Sequence, residues 1–147
     1  MAKAEIKRVL DVSKRALFQT ITKYEDYPQF VSGCKSVDIV RENETKARVK
    51  YLVSIMKDVS YVLNHDENFE TGEIQWSLVE GDFFQKNTGS WKLKEIGPEK
   101  TEAVYSIEVE FNVPVPSFIL NRLIKGSLPE MMKNFEKRAK DQEKGRA

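Results

Sequence analysis

One cysteine and one histidine are all that this 147-residue chain holds of the residues that most often build disulfides and transition-metal sites. Cys34 has no second thiol to pair with, and His65 has no second imidazole, so neither a disulfide nor a multi-residue zinc site is expected. Charge of one sign is also missing. Twenty-four Lys and Arg stand against 23 Asp and Glu, a net charge of +1, which gives no general pull toward a phosphate backbone; no DNA partner is expected. No apolar run approaches the roughly 20 residues that cross a bilayer. The stretch Met1–Glu5 leads directly into alternating residues without an apolar signal-peptide core, so a cytoplasmic location is the default expectation. Nucleophile–base pairs, metal-ligand spacings and phosphate-binding glycine loops are likewise absent, and no cofactor is implied.

What the chain does have is alternation. Ala103, Tyr105, Ile107, Val109, Phe111 and Val113 interleave with Ser106, Glu108, Glu110 and Asn112. A period of two sends these sets to opposite faces of a strand, one buried and one wet. Val49, Tyr51, Val53 and Ile55 repeat the pattern, with Leu52 out of step. Shorter runs follow at Val59–Leu63, Ile74–Leu78 and Trp91–Leu93, and weaker ones at Ile6–Leu10 and Val37–Val40. Turn residues separate them at Glu42–Glu44, Lys57-Asp58, Thr71-Gly72, Gly81-Asp82 and Gly97-Pro98. The spacing leaves no room for helical crossovers, so the strands form an antiparallel meander.

Two regions carry helical spacing. Ser13 caps a predicted helix over Lys14–Thr22, with Leu17, Phe18 and Ile21 on one face, and Glu25–Val31 reads as a short turn that Pro28 keeps brief. The long helical region is Ser117–Glu143, whose apolar stripe includes Leu120, Leu123, Ile124, Leu128, Met131, Met132 and Phe135. Pro129 lies inside it, and Gly126–Pro129 marks a kink or restart where the helix could hinge. The expected architecture is a single α+β domain over residues 1–147. A curved antiparallel sheet of about seven strands, with two short helices after the first, wraps around a long C-terminal helix.

This order resembles the helix-grip fold of the START/polyketide cyclase-dehydrase superfamily (SRPBCC, Bet v-like). Tyr24–Phe30 followed by Cys34 and Val37 is similar to its short second helix and second strand. Gly81-Asp82-Phe83 with Gly89-Ser90-Trp91 is similar to the hairpin before its penultimate strand, and Pro114-Val115-Pro116 to the entry into its terminal helix. The flavour is nearest to small bacterial cyclase/dehydrase and coenzyme Q-binding-like proteins and to ribosome-association toxins. The resemblance implies a START-like ligand-binding domain that takes a hydrophobic or amphipathic small molecule: a lipid, an isoprenoid quinone or a polyketide-like compound. A cyclase/dehydratase activity and an interaction with ribosomes are its alternatives.

The inward parity then nominates a lining. From the strands come Tyr51, Val53, Tyr61, Leu63, Trp76, Leu78, Trp91, Tyr105, Ile107 and Phe111; from the terminal helix come Leu120, Ile124, Leu128, Met131, Met132 and Phe135. Packed as a solid core, so many Tyr and Trp tips would each need a polar partner, whereas an apolar wall with a few polar tips is how ligand sites are built. An empty pocket of about 300 Å³ would cost on the order of 7 kcal/mol at ~24 cal/mol per Å³. That rivals a domain's whole stability of about 5–15 kcal/mol, so a real cavity is filled or partly wet. No catalytic group is assigned. His65 shares parity with Tyr61 and Leu63, but Asn64–Asn68 reads as a strand end in water, and an exposed imidazole is expected. Cys34 is expected as a small buried hydrophobe. Phe118 and Ile119 beside Arg122 and Lys125 form an apolar tip with cations, a pattern suited to peripheral contact with an anionic membrane. Capping of the barrel end is its alternative.

Overall fold

A computed structural model describes residues 2–54, 57–122 and 128–144. The element order is β1 (Ala2–Leu10), α1 (Lys14–Thr22), a 3₁₀ turn (Tyr24–Asp26) running into α2 (Tyr27–Phe30), β2 (Cys34–Arg41), β3 (Lys46–Ser54), β4 (Asp58–Asn68), β5 (Glu73–Glu80), β6 (Phe84–Gly97), β7 (Lys100–Phe111), α3 (Ser117–Asn121) and α4 (Leu128–Lys144). The strands form one seven-stranded sheet in the order β1-β7-β6-β5-β4-β3-β2, every neighbouring pair antiparallel. This is the α+β helix-grip arrangement, with the short helices after β1 and a long C-terminal helix.

Local chemistry accounts for the elements. Ser13 has extended backbone and its Oγ accepts from the Ala16 N–H at 3.2 Å, so the expected cap starts α1. Pro28 sits in the first turn of α2, where its missing N–H costs nothing. In α4 the buried residues Leu128, Met132, Phe135 and Ala139 recur at helical spacing and join the main core with Leu17, Ile21, Ile74 and Trp91. Polar ties fix the angle of α4: the Ser13 hydroxyl donates to Glu143 at 2.6 Å, the Asp11 N–H donates to Glu136 at 2.7 Å, and Arg138 donates to Gln29 at 2.6 Å. The predicted kink at Gly126–Pro129 and the residues Leu123, Ile124 and Lys125 fall at least partly outside the described residues.

Strand β6 is longer than its periodicity predicts. It extends back to Phe84 and pairs with β7 along its length, and the inward Asn87 and Gly89 hide this part from a hydropathy pattern. A second cluster, Val59, Phe83, Phe84 and Val109, closes the end of the sheet where Phe111 and Leu120 pack.

Candidate functional site

Between the sheet and α4 lies a cavity of about 170 Å³. Tyr51 and Val53 of β3, Tyr61 and Leu63 of β4, Trp76 of β5, Trp91 of β6, and Tyr105 and Ile107 of β7 line it, together with Met131 and Phe135 of α4. The period-two pattern had nominated these strand positions. Other nominated residues are placed elsewhere. Phe111 is drawn into the second cluster, its ring 5.3 Å from Phe83 and 5.4 Å from Phe84, and Leu120 packs there too. Leu78 is partly buried against both clusters. Leu128 and Met132 are buried in the main core and are not among the residues that line the cavity. Ile124 is outside the described residues.

Sequence periodicity missed a second set: Ile21, Tyr24, Tyr27, Val31, Cys34, Ile74, His65 and Asn87 also line the cavity. Ile74 shares the parity of Trp76. Tyr24 and Tyr27 come from a segment too short for a period, and Asn87 carried no apolar signal. Cys34 is buried as expected, and burial raises its thiol pKa.

His65 corrects the expectation of an exposed strand end: it is only 6% exposed. In register it stands opposite Ala47 on β3 and Trp76 on β5, and the small Ala47 side chain leaves it room. The Tyr24 ring lies 4.3 Å from the imidazole, tilted by 32°. Burial first, and then the charge of Arg41, pull its pKa from 6.5 down to about 3, so the ring is neutral at pH 7. Nε2 is 2.8 Å from the Tyr51 hydroxyl, whereas the buried Nδ1 has no partner among the described residues. Either tautomer leaves one ring nitrogen unsatisfied.

The strand end is polar because it holds a buried network. Glu67, 6% exposed, accepts from the Tyr24 hydroxyl at 2.6 Å and from Arg41 at 2.9 and 3.3 Å. This clamps the 3₁₀ turn to the sheet and holds the Tyr24 ring beside His65. Opposite, the Trp76 indole N–H donates to Asn87 Oδ1 at 3.1 Å. Trp76 reaches that site by lying over Gly89, where a Cβ would meet the indole at 2.3 Å.

The aromatic side chains form a closed circuit of seven rings, each lining the cavity. Successive centroid distances are 5.5 Å from Tyr27 to Phe135, 5.2 Å on to Trp91, 5.1 Å to Tyr105, 5.4 Å to Trp76, 6.0 Å to His65, 6.0 Å to Tyr51 and 6.3 Å back to Tyr27. Burial raises the pKa of every one of these tyrosines and of Tyr61, so all stay protonated. Among the described residues no Asp, Glu, Lys or Arg lines the cavity. The site therefore offers apolar surface and neutral hydrogen-bonding groups. Among the described residues no cluster could hold a metal ion, and no helix is long and apolar enough to cross a membrane.

The sequence profile of a family described as "Polyketide cyclase / dehydrase and lipid transport" matches residues 10–136. The ribosome association toxin RatA of Escherichia coli K12 is 23% identical over 129 residues, covering 88% of this chain and 81% of its own. Among solved structures, the ZhuI aromatase/cyclase from Streptomyces sp. R1128 superposes with a TM-score of 0.83 at 11% identity, covering 95% of this chain and 93% of its own. A START superfamily protein from Mycobacterium smegmatis superposes with a TM-score of 0.82 at 19% identity, covering 95% and 98%.

Proposed function

The chain belongs to the polyketide cyclase/dehydrase and lipid transport family, and from that premise we propose that it binds a hydrophobic or amphipathic small molecule non-covalently, for transport, storage or presentation. The observation that carries this reading is the cavity itself, a half-open, mainly apolar hollow whose polar tips are not all used by the protein. Held dry, about 170 Å³ would cost on the order of 4 kcal/mol at ~24 cal/mol per Å³. An occupant that fills it removes that cost and stabilises the fold. Native mass spectrometry of freshly purified protein, followed by extraction, should reveal a bound small molecule. Bare protein, together with no rise in melting temperature across lipids, quinones and small aromatic compounds, would count against binding.

The buried Tyr51–His65 pair favours a second reading, a cyclase/dehydratase-type reaction. In that reading His65 Nε2–H donates to the Tyr51 oxygen and holds it, and the Tyr51 hydroxyl polarises a substrate carbonyl. With its pKa pulled down to about 3, the imidazole positions the tyrosine and is a weak base at pH 7. Turnover of a poly-β-keto thioester that vanishes in Tyr51→Phe and His65→Asn while binding persists would support it; equal product from wild type and buffer would end it. The likeness to RatA supports one further measurement, co-sedimentation with ribosomal subunits. Peripheral membrane contact would run through Phe118, 70% exposed, with Ile119 and Arg122 beside it.

A further inference from the structure

The neutral polar atoms of the cavity fall into two groups. Tyr24 gives its hydroxyl to Glu67, Tyr27 gives its own to the Ile21 carbonyl, and Trp76 is spent on Asn87. By contrast, the hydroxyls of Tyr61 and Tyr105 have no hydrogen-bond partner among the described residues, and neither does Nδ1 of His65. Of these three only the His65 nitrogen is itself buried, and it is costly unless something satisfies it; the two hydroxyls open onto the cavity, where an occupant or water can satisfy them. They face a space walled by a closed circuit of rings, whose faces and edges favour offset or edge-on contact with another ring.

Size and charge narrow the occupant. A dry cavity of about 150 Å³ accommodates benzene, and this one measures about 170 Å³, room for one ring with a small substituent. Among the described residues no ionised side chain lines it, and Arg41, behind His65, is already bound to Glu67. A carboxylate would enter without a counter-charge, at high cost.

We infer that the cavity takes an uncharged single-ring aromatic molecule bearing a hydroxyl or carbonyl oxygen, its ring held by the aromatic circuit and its oxygen by the unspent hydroxyls of Tyr61 and Tyr105 or Nδ1 of His65. This rests on the ligand-binding reading above and narrows it. A phospholipid with two acyl chains exceeds this volume, an aromatic acid is disfavoured by charge, and an alkyl chain or bare hydrocarbon ring leaves the polar atoms unsatisfied.

Both tryptophans of the chain line the cavity, so intrinsic fluorescence reads occupancy directly. The full chain is titrated at pH 7.5 with 4-ethylphenol, ethylbenzene, 4-methylbenzoate and decanoate, and melting temperatures are recorded alongside. The phenol should bind about tenfold more tightly than ethylbenzene, the worth of one or two neutral hydrogen bonds. The two carboxylates should bind at least about 30-fold more weakly than the phenol. The double variant Tyr61→Phe/Tyr105→Phe removes only hydroxyls without protein partners, so it should fold. It should shrink the phenol's advantage and leave ethylbenzene affinity unchanged. Carboxylates binding as tightly as the phenol, or an advantage untouched in both the double variant and His65→Gln, overturns the inference. If none of the four probes binds while native mass spectrometry shows a larger bound lipid, this inference falls and the general reading stands. If none binds and the protein carries nothing, both fall.

Discussion

The Tyr51 hydroxyl lies 2.8 Å from Nε2 of His65, although in the ladder Tyr51 stands opposite Tyr61 and His65 opposite Ala47. The tyrosine reaches along the sheet, past Leu63, to meet the imidazole, and the contact is made inside the protein. Around His65 stand Tyr24, Tyr51 and Trp76, all neutral, with Arg41 as the nearby charge that disfavours protonation.

That environment makes stability depend on pH. Folded His65 stays neutral down to about pH 3, whereas unfolded it takes a proton near its ordinary value of 6.5. Between those values the unfolded chain binds one proton more, so stability falls as pH drops from about 6.5 toward 3, by up to about 5 kcal/mol for this group alone. Carboxylates titrate in the lower part of the same window, and His65→Gln separates the contributions. Urea unfolding at pH 7.5, 6, 5 and 4 should show a shallower loss in the variant; parallel curves would mean that His65 is accessible to water.

Gly89 is required for the position of Trp76. Its absent Cβ would also meet the Ser106 carbonyl oxygen at 2.5 Å, so the clash involves backbone as well as the indole. Gly89→Ala should cost about 1–3 kcal/mol and break the Trp76–Asn87 bond. Near-ultraviolet circular dichroism should lose tryptophan signal in the variant, while far-ultraviolet spectra stay native.

Glu67 joins Arg41 to Tyr24, with the carboxylate buried and the guanidinium 41% exposed. Glu67→Leu should cost about 1–3 kcal/mol, since the Tyr24 hydroxyl loses its acceptor inside the protein. Glu67→Gln keeps an acceptor and should cost less. Chemical denaturation orders the two, and the same ranking should appear in ligand affinity if the clamp holds Tyr24 at the cavity wall.

Phe118 is the most exposed large apolar side chain described. Flotation with phosphatidylcholine vesicles, with and without phosphatidylserine, should recover the wild type mainly with the anionic vesicles. Phe118→Asp should reduce recovery about tenfold, because a charge replaces the buried apolar surface. Wild-type protein that stays at the bottom of the gradient removes membrane contact from the function.

Most of the fold was legible as period. Ala103–Phe111 and Val49–Val53 show the period of two in their residue types, although Leu52 breaks the second run and the polar face of β7 is half-buried. Ser13 announced α1, and Leu128, Met132 and Phe135 announced the buried stripe of α4. Strand β6 was half hidden, since Asn87 and Gly89 stand inward for reasons of partner and space that no hydropathy pattern records. The same limit applied to the site. Parity nominated Phe111 together with Tyr105, yet the two end in different clusters, because parity gives a face and says nothing of where along that face a cavity lies.

By itself, the sequence determined the antiparallel sheet, the amphipathic terminal helix and a chain with a single cysteine and a single histidine. These depend on local periodicity and composition, which are properties of order along the chain. Only the tertiary structure decided that His65 is buried, that Tyr24 and Glu67 clamp the wall beside it, and that seven rings close a circuit around a neutral space. Those features join residues from distant segments, and a polar residue at an inward position gives no sign of its role until its partner is beside it.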